Sequence, residues 1–268
     1  MHRLKLSRIH FSPISSPCLS QKTHSKDFPV SIKSLFDKGG RNQYQRDYLK
    51  IIPKYKNDFQ AYIPIMTGCN NFCSYCVVPY ARGREVSRPT EEIVKEVKNL
   101  VKNGYKEIVL LGQNVNSYKF KIPAKRGPTL AGLRSDLNKT INFSKLLKKI
   151  NAIPGRFWIN FISNHPKDVT DEMIEAVAKL PKVAECFHLP IQSGNDEIIR
   201  KMNRKYTARN YLYLLGKIKA AYSKFKPGTP YSITSDSIVG FPGETKQQSL
   251  DSAEVIKKAK YDMVSFVQ

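Results

Sequence analysis

From about Phe59 onward, apolar positions along the chain follow two alternating rhythms. Short unbroken apolar runs predict buried strands, and apolar residues three and four apart predict helices. Gln60 to Met66, ending at Gly68, predicts a first strand, and Glu107 to Leu111 a second. Between them Ile93, Val94, Val97, Leu100 and Val101 form one helical stripe. Thr90 is expected to cap that helix, Glu91 and Glu92 to occupy its positive first turn, and Asn103-Gly104 to stop it. Residues 119–141 predict a loop rich in Lys, Arg, Gly and Pro, followed by a helix around Phe143–Ile150. Further strands are predicted over Arg156–Ile162, Val183–Pro190, Ser232–Phe241 and Met263–Val267. Helices fall between them at Thr170–Leu180, Asp196–Met202, Thr207–Tyr222 and Thr245–Lys258.

Strands that alternate with helices pair in parallel, which gives an α/β fold. Six such units predict an open, partial (β/α)6 barrel, with reactive groups on loops at the C-terminal ends of the strands. This core is expected over residues 56–268. Residues 1–55, broken by Pro13, Pro17, Pro29 and Gly39-Gly40, predict a basic extension or linker. The first thirty residues lack the apolar core of a secretory signal and carry no acid before Asp27. That composition resembles a mitochondrial transit peptide, but a poorly ordered tail is the preferred reading. No apolar stretch is long enough to cross a bilayer, so no membrane association is expected.

Composition adds two constraints. Lys and Arg number 45 against 22 Asp and Glu, a net charge of +23. Such an excess attracts polyanions, and it equally suits a lysine-rich soluble protein. The cysteines are odd in number, five, and three of them, Cys69, Cys73 and Cys76, fall on one short segment. That spacing reads as metal ligation in a reducing compartment, the cytoplasm by default, rather than as a disulfide framework.

The segment Gly68-Cys-Asn-Asn-Phe-Cys-Ser-Tyr-Cys76 directly follows the first strand. Iron–sulfur clusters usually take four thiolates; three on a tight loop leave one iron of a cubane open to a chelating substrate. S-adenosylmethionine (SAM), bound through its amino and carboxylate groups, suits that position. An electron from the cluster would then split it into methionine and a 5′-deoxyadenosyl radical. A structural zinc site is the competing reading, but it usually has a fourth Cys or His nearby, and none lies elsewhere between residues 25 and 164. Cys186 reads as a small core residue in an apolar strand, and Cys18 has no ligand-like neighbours.

The stretch GCNNFCSYCVVPYARGREVSRP from Gly68 to Pro89 resembles the signature of the radical SAM methylthiotransferases. The likeness continues through LLGQNVNSY (Leu110–Tyr118), SNHPKD (Ser163–Asp168), HLPIQSGND (His188–Asp196), KMNRKYT (Lys201–Thr207) and IVGFPGET (Ile238–Thr245). Within the family, GQNVNSY and HPKD are most similar to the branch that makes 2-methylthioadenosine in tRNA. The resemblance implies a 4Fe-4S cluster, SAM, and insertion of a methylthio group at C2 of an N6-modified adenosine beside the anticodon. It implies a SAM-adenine contact for Tyr75, a place facing SAM and substrate for Gln113 and Asn114, and one near the SAM ribose for Gln192, Ser193 and Gly194. Gly240, Pro242 and Gly243 would border the adenine. His165 and His188 read equally as hydrogen-bonded scaffold or as catalytic groups.

The same resemblance implies partners: a tRNA anticodon stem-loop and a one-electron donor such as a flavodoxin or ferredoxin, with the chain acting as a monomer. Arg82, Arg84 and Arg88, beside the cysteine loop, are the expected RNA contacts, with Lys119, Lys121, Lys125 and Arg126 in a second basic loop. Family members carry an N-terminal domain with three further cysteines and a C-terminal β-barrel that grips RNA. The expectation here is the catalytic core without them. Two other readings stay open: a single-cluster radical SAM enzyme with different or lost transfer chemistry, and a non-enzymatic basic RNA-binding remnant.

Overall fold

The computed structural model describes Gln45, residues 47–51, 53 and 55, residues 58–122 and residues 140–268. Six strands run parallel: β1 (Gln60–Pro64), β4 (Glu107–Leu111), β7 (Trp158–Phe161), β8 (Cys186–His188), β9 (Ser232–Ile238) and β10 (Met263–Val267). They form two three-stranded sheets, β1-β4-β7 and β8-β9-β10. A parallel bridge between Ile159 and Val183 joins β7 to the chain just before β8, so the strands follow in sequence order around a partial barrel. Two short antiparallel pairs complete the strands: β2 (Met66–Thr67) with β3 (Val86–Ser87), and β5 (Lys119–Lys121) with β6 (Thr140–Asn142).

The helices are α1 (Val78–Arg82), α2 (Thr90–Lys102), α3 (Phe143–Asn151), α4 (Asp171–Lys179), α5 (Asp196–Lys201), α6 (Ala208–Phe225) and α7 (Lys246–Ala259). Alternation in the strands decides which side they cover. Ala61 and Ile63 of β1, Ile108 and Leu110 of β4, and Ile159 and Phe161 of β7 are buried in one core with Ile93, Val97 and Leu100 of α2 and Leu146, Leu147 and Ile150 of α3. Each of the larger of these side chains taken out of water contributes roughly 1.5–3 kcal/mol. The other register, including Tyr62, Asn160, His188, Thr234 and Asp236, stays partly exposed on the face turned away from the helices.

In β9 the covered positions include Ser235 and Ser237, fully buried polar residues in a strand. Their hydroxyls are used: Ser235 donates to the Leu189 carbonyl at 3.0 Å and accepts from the Ile191 amide at 3.0 Å, and Ser237 donates to the Gln192 carbonyl at 3.3 Å. The chain after β8 is thus held to β9 by side chains as well as by backbone bonds such as Leu189 amide to Thr234 carbonyl at 2.8 Å, and β8 itself spans three residues where a strand over Val183–Pro190 was expected. Three further expectations are corrected. Thr90 does not cap α2; Pro89 occupies that position, and the Thr90 hydroxyl bonds Tyr118 Oη at 2.9 Å. The stretch 119–141 is not all loop, because its ends pair as β5 and β6; Lys125 and Arg126 lie outside the described residues. Cys186 is half-buried rather than a core residue, and Cys18 lies outside the described residues.

Candidate cluster and cofactor site

The cysteine loop leaves β2 at Gly68, whose φ of +80° favours glycine. Space requires it too: a Cβ there would stand 2.2 Å from the Arg84 carbonyl oxygen. The returning strand clamps the loop. The Cys69 amide donates to the Gly83 carbonyl at 3.1 Å, and Asn70 and Glu85 exchange amide-to-side-chain bonds at 3.3 Å each. Gln113, after β4, accepts from the Gly68 amide at 2.7 Å, so this expected cofactor residue holds the loop's first turn. From the preceding segment, buried Gln45 donates to the Arg82 carbonyl and, at 2.7 Å, to the Arg84 carbonyl. Phe72, inside the loop, has φ +50°, a left-handed conformation that costs a non-glycine residue energy.

The loop presents Cys69 and Cys73 buried and Cys76 half-buried, all as free thiols. Among the described residues no three His, Cys, Asp or Glu side chains gather as ligands of a single metal ion. That argues against a zinc knuckle and not against a cubane, whose thiolates sit on different irons and stand farther apart. Burial pushes the Cys69 thiol up, and Cys73 and Cys76 are close enough to add to that shift.

The chain between α5 and α6 lies against the loop. Ser74 donates its amide to the Met202 carbonyl at 3.1 Å and its hydroxyl to the Lys201 carbonyl at 2.9 Å; Asn203 donates to the Phe72 carbonyl at 2.8 Å. Arg204 is buried at 7% exposure. It donates to Tyr75 Oη at 2.9 Å, Tyr206 Oη at 2.5 Å and the Pro190 carbonyl at 3.1 Å, and it lies 3.9 Å from Cys73 Sγ. Among the described residues no carboxylate pairs with it. A buried guanidinium without an anion is costly. Thiolates carrying iron would supply the missing negative charge, so the residues present fit an iron–sulfur cluster.

Tyr75 is partly exposed, with its hydroxyl turned in to Arg204; burial pushes its pKa up to about 12. The remaining expected cofactor residues divide by environment. Asn114, after β4, is 1% exposed and donates to Asp168 Oδ2 at 2.7 Å. Gln192 has φ +66° and bridges to β9 through its backbone. Ser193 and Gly194 are pinned to α7: the Ser193 hydroxyl is 3.2 Å from Ser252 Oγ, which accepts from the Gly194 amide at 2.8 Å. A Cβ on Gly194 would meet Ser252 Cα at 2.6 Å, so this glycine serves helix packing. Gly240, Pro242 and Gly243, after β9, lie on an exposed loop with open space beside both glycines.

The two histidines differ. His165 is buried, its Nδ1 accepts from the Lys167 amide at 3.2 Å, and burial, helped by Arg204 and Lys167, lowers its pKa to about 3. His188 stands half-exposed, its Nδ1 2.9 Å from Thr234 Oγ1 and its Nε2 3.2 Å from Asp236 Oδ2. Of the three arginines, Arg82 and Arg84 are exposed, lying over the Tyr48 and Phe72 rings at 5.2 and 4.5 Å. Arg88 is turned inward against Glu96 at 2.5 Å and Glu92 at 3.5 Å. Sequence reasoning missed Arg204, Asn203, Glu85 and Asn164. All four lie inside quoted motifs, yet their partners come from up to 131 residues away. The largest cavity described, about 710 Å³, is lined by Phe59, Lys106, Arg156, Trp158 and Lys182 at the opposite, N-terminal ends of the strands.

Comparison with known proteins decides the family. Residues 63–256 match the Radical SAM superfamily. The chain belongs to that superfamily, whose chemistry uses a 4Fe-4S cluster and SAM. It is 46% identical over 207 residues to a tRNA-2-methylthio-N(6)-dimethylallyladenosine synthase from Clostridium botulinum, covering 77% of this chain and 41% of that protein. The protein of the same name from Fusobacterium nucleatum is 47% identical over 209 residues, covering 78% and 43%. The radical SAM chain thus spans about 41% of the length of these curated relatives. The fold is shared with the radical SAM methyltransferase TsrM from Kitasatospora setae, at a TM-score of 0.56 and 16% identity over 78% of this chain and 36% of that one. It is shared also with coproporphyrinogen III oxidase (HemN) from Escherichia coli, at 0.50 and 14% over 83% and 47%.

Proposed function

We propose that this chain is the catalytic core of a tRNA methylthiotransferase that acts at C2 of an N6-modified adenosine beside the anticodon. The observation that carries the reading is the three-cysteine loop closed by Arg204, in a segment 46% identical to synthases of that name. Cys69, Cys73 and Cys76 would hold the cluster. Tyr75 and the exposed turn from Gly240 to Gly243 would flank SAM, with Gln113 fixing the loop that carries the ligands. Bound together, cluster and SAM supply a carbon radical able to take hydrogen from an unactivated C–H bond.

The chain's own residues fix the geometry for that step. Arg204 orients Tyr75 and places a positive charge beside Cys73. His165, held neutral, packs edge-on to Tyr206, which accepts from Arg204. The RNA would approach along the exposed Arg82 and Arg84, adding phosphate contacts near the cluster loop. Arg88 is left out of that surface because two glutamates already occupy its guanidinium. An external low-potential donor of the flavodoxin or ferredoxin type would deliver the electron. Among the described residues no helix is long and apolar enough to cross a membrane. We place the protein in the cytoplasm, where free thiols persist.

A second reading is supported by cysteine placement: among the described residues only Cys186 lies outside the loop, so this chain shows one candidate cluster. Anaerobic reconstitution separates the two. Radical chemistry requires about four irons per chain, lost in the C69A/C73A/C76A variant, and 5′-deoxyadenosine on reduction with SAM. Methylthio transfer further requires a methylthiolated adenosine in an anticodon stem-loop, read by mass spectrometry. 5′-Deoxyadenosine without that product supports the single-cluster enzyme; iron retained by the triple variant overturns both.

A further inference from the structure

Four buried side-chain atoms among the described residues have no hydrogen-bond partner: Asn114 Oδ1, Asn164 Oδ1, Tyr222 Oη and Glu244 Oε1. Three of the four sit on loops at the C-terminal ends of strands, after β4, β7 and β9, where a ligand of this fold binds. Asn114 and Asn164 are the most enclosed of the three, at 1% and 6% exposure. Their amide orientation is fixed by their neighbours. Asn114 Nδ2 donates to Asp168 Oδ2 at 2.7 Å and Asn164 Nδ2 to the His188 carbonyl at 3.0 Å. Both partners accept only, so flipping either amide would set oxygen against oxygen. Each asparagine therefore holds a carbonyl oxygen in reserve.

The two loops are tied side by side. The Val115 amide donates to the Ser163 carbonyl at 3.0 Å, and Asn116 and His165 exchange bonds at 2.9 and 3.1 Å. Ser163, between the loops' contacts, is held at φ +71°, a strained conformation for serine and one that marks functional loops. Buried acceptors without donors are rare because each costs the desolvation of the atom. A phosphate or carboxylate, itself an acceptor, cannot satisfy them. An adenosine can, through its N6–H and ribose hydroxyls.

We propose that the Asn164 amide oxygen, with that of Asn114 on the adjoining loop, forms an acceptor subsite for the N–H or O–H donors of a bound adenosine. This rests on the function proposed above, which brings two adenosines to this rim: that of SAM and that of the target RNA. Asn164 is thereby a specificity residue for one of them.

The test uses reconstituted full chain and three variants. Asn164→Leu removes the acceptor at similar volume; Asn164→Asp keeps an acceptor oxygen and loses the donor to His188. Should the leucine variant fail to fold, judged by circular dichroism, Asn164→Ser takes its place. Binding is measured for SAM alone, and for an anticodon stem-loop carrying either adenosine or purine riboside, which lacks the exocyclic amine. If the target base is read, Asn164→Leu weakens the adenosine stem-loop by roughly tenfold or more, abolishes the preference over purine riboside and leaves SAM affinity unchanged. If SAM is read, its affinity falls by that factor and RNA binding does not. In either case Asn164→Asp, which keeps an acceptor but sets its second oxygen against the His188 carbonyl, loses less affinity than Asn164→Leu. Unchanged affinity in both arms, or equal loss in the Asp and Leu variants, overturns the proposal, the amide then serving only to clamp His188. Should wild-type protein bind no RNA, the tRNA reading fails separately, and the SAM arm alone decides the subsite.

Discussion

The cysteine loop and the loop after β9 both depend on glycines at positive φ, and they are built in opposite ways. Around Gly68 nearly every polar group is engaged: Gln113, Gly83, Glu85, Lys201, Met202 and Asn203 all bond the loop. Around Gly240 and Gly243 space is open, and one oxygen of Glu244 has no partner while the other accepts from the Gly240 amide at 2.7 Å. Thiolate ligands must be held in place before iron arrives, because the geometry of a cluster tolerates little error. A loop that borders an exchangeable small molecule gains from remaining partly unsatisfied until the ligand supplies the missing bonds. The first region is preorganised for a resident group, the second for a visitor.

Gly68→Ala should break the contrast hardest. The new Cβ would overlap the Arg84 carbonyl at 2.2 Å as well as strain φ. Overpacking and left-handed strain together cost about 2–5 kcal/mol. Reconstituted Gly68→Ala protein should retain little iron and unfold at markedly lower denaturant concentration. Iron retention equal to wild type would show that the loop adapts to its cluster rather than preceding it.

Replacing Arg204 should come next. Arg204→Met removes the donors to Tyr75 and Pro190 and the charge beside Cys73. Loss of a buried hydrogen-bonded charge costs about 3 kcal/mol when its partners remain. The apo protein, however, loses an uncompensated cation, so its own stability should change less than its iron affinity. Arg204→Lys, which keeps charge without the fork, should retain iron better than Arg204→Met. If chemical denaturation of apo protein and iron retention fell in parallel, Arg204 would be a packing residue and no counter-charge.

How much of this contrast was legible in the sequence depends on range. β4 and β10 coincide residue for residue with the expected strands, because each is a mostly apolar run read from its own residues. Thr170 and Thr207, where two helices were expected to begin, stand at their N-caps, since a cap is a contact within one turn. The β5–β6 pair escaped notice because each strand has only three residues and their partners are far apart in sequence. Arg88, beside the cysteines in sequence, reads as a surface cation until Glu92 and Glu96 are seen to turn it inward. Arg204 is the opposite case, an arginine next to Lys205 that the fold buries. The cysteine spacing announces the chemistry, but which polar groups remain unsatisfied is a property of the assembled rim.

A smaller effect concerns acid. His165 has its pKa lowered to about 3 by burial, below its ordinary value near 6.5. The folded state therefore binds the proton more weakly than the unfolded state. Stability from this group is fully present above pH 6.5 and is lost as pH falls toward the folded value, at up to about 1.4 kcal/mol per pH unit. Denaturant midpoints measured from pH 7 to 5 should fall, and His165→Asn should flatten the slope by close to one proton. An unchanged slope would assign the acid sensitivity to other groups. Because His165 touches neither the cysteines nor the β9 loop, the loss should appear in global stability and leave iron binding near neutral pH intact.

The smallest effect, and the sharpest for the comparison, is expected at Gly240. Its φ is +80°, as at Gly68, but a Cβ would meet nothing within 4 Å. The Gly240→Ala penalty is then conformational alone, about 1–2 kcal/mol at most, and smaller where the exposed loop relaxes. Iron retention should match wild type, since no bond from this loop reaches the cysteines. SAM affinity should respond instead, because a methyl group fills space the ligand would use and the loop's resting conformation shifts. Equilibrium dialysis of SAM with reconstituted protein, beside iron analysis of the same sample, separates the two. The pattern required is intact iron with weakened SAM for Gly240→Ala, against lost iron for Gly68→Ala. If Gly240→Ala bound SAM as wild type does, the open space beside it would be solvent rather than a cofactor border, and the two glycine loops would differ in packing alone.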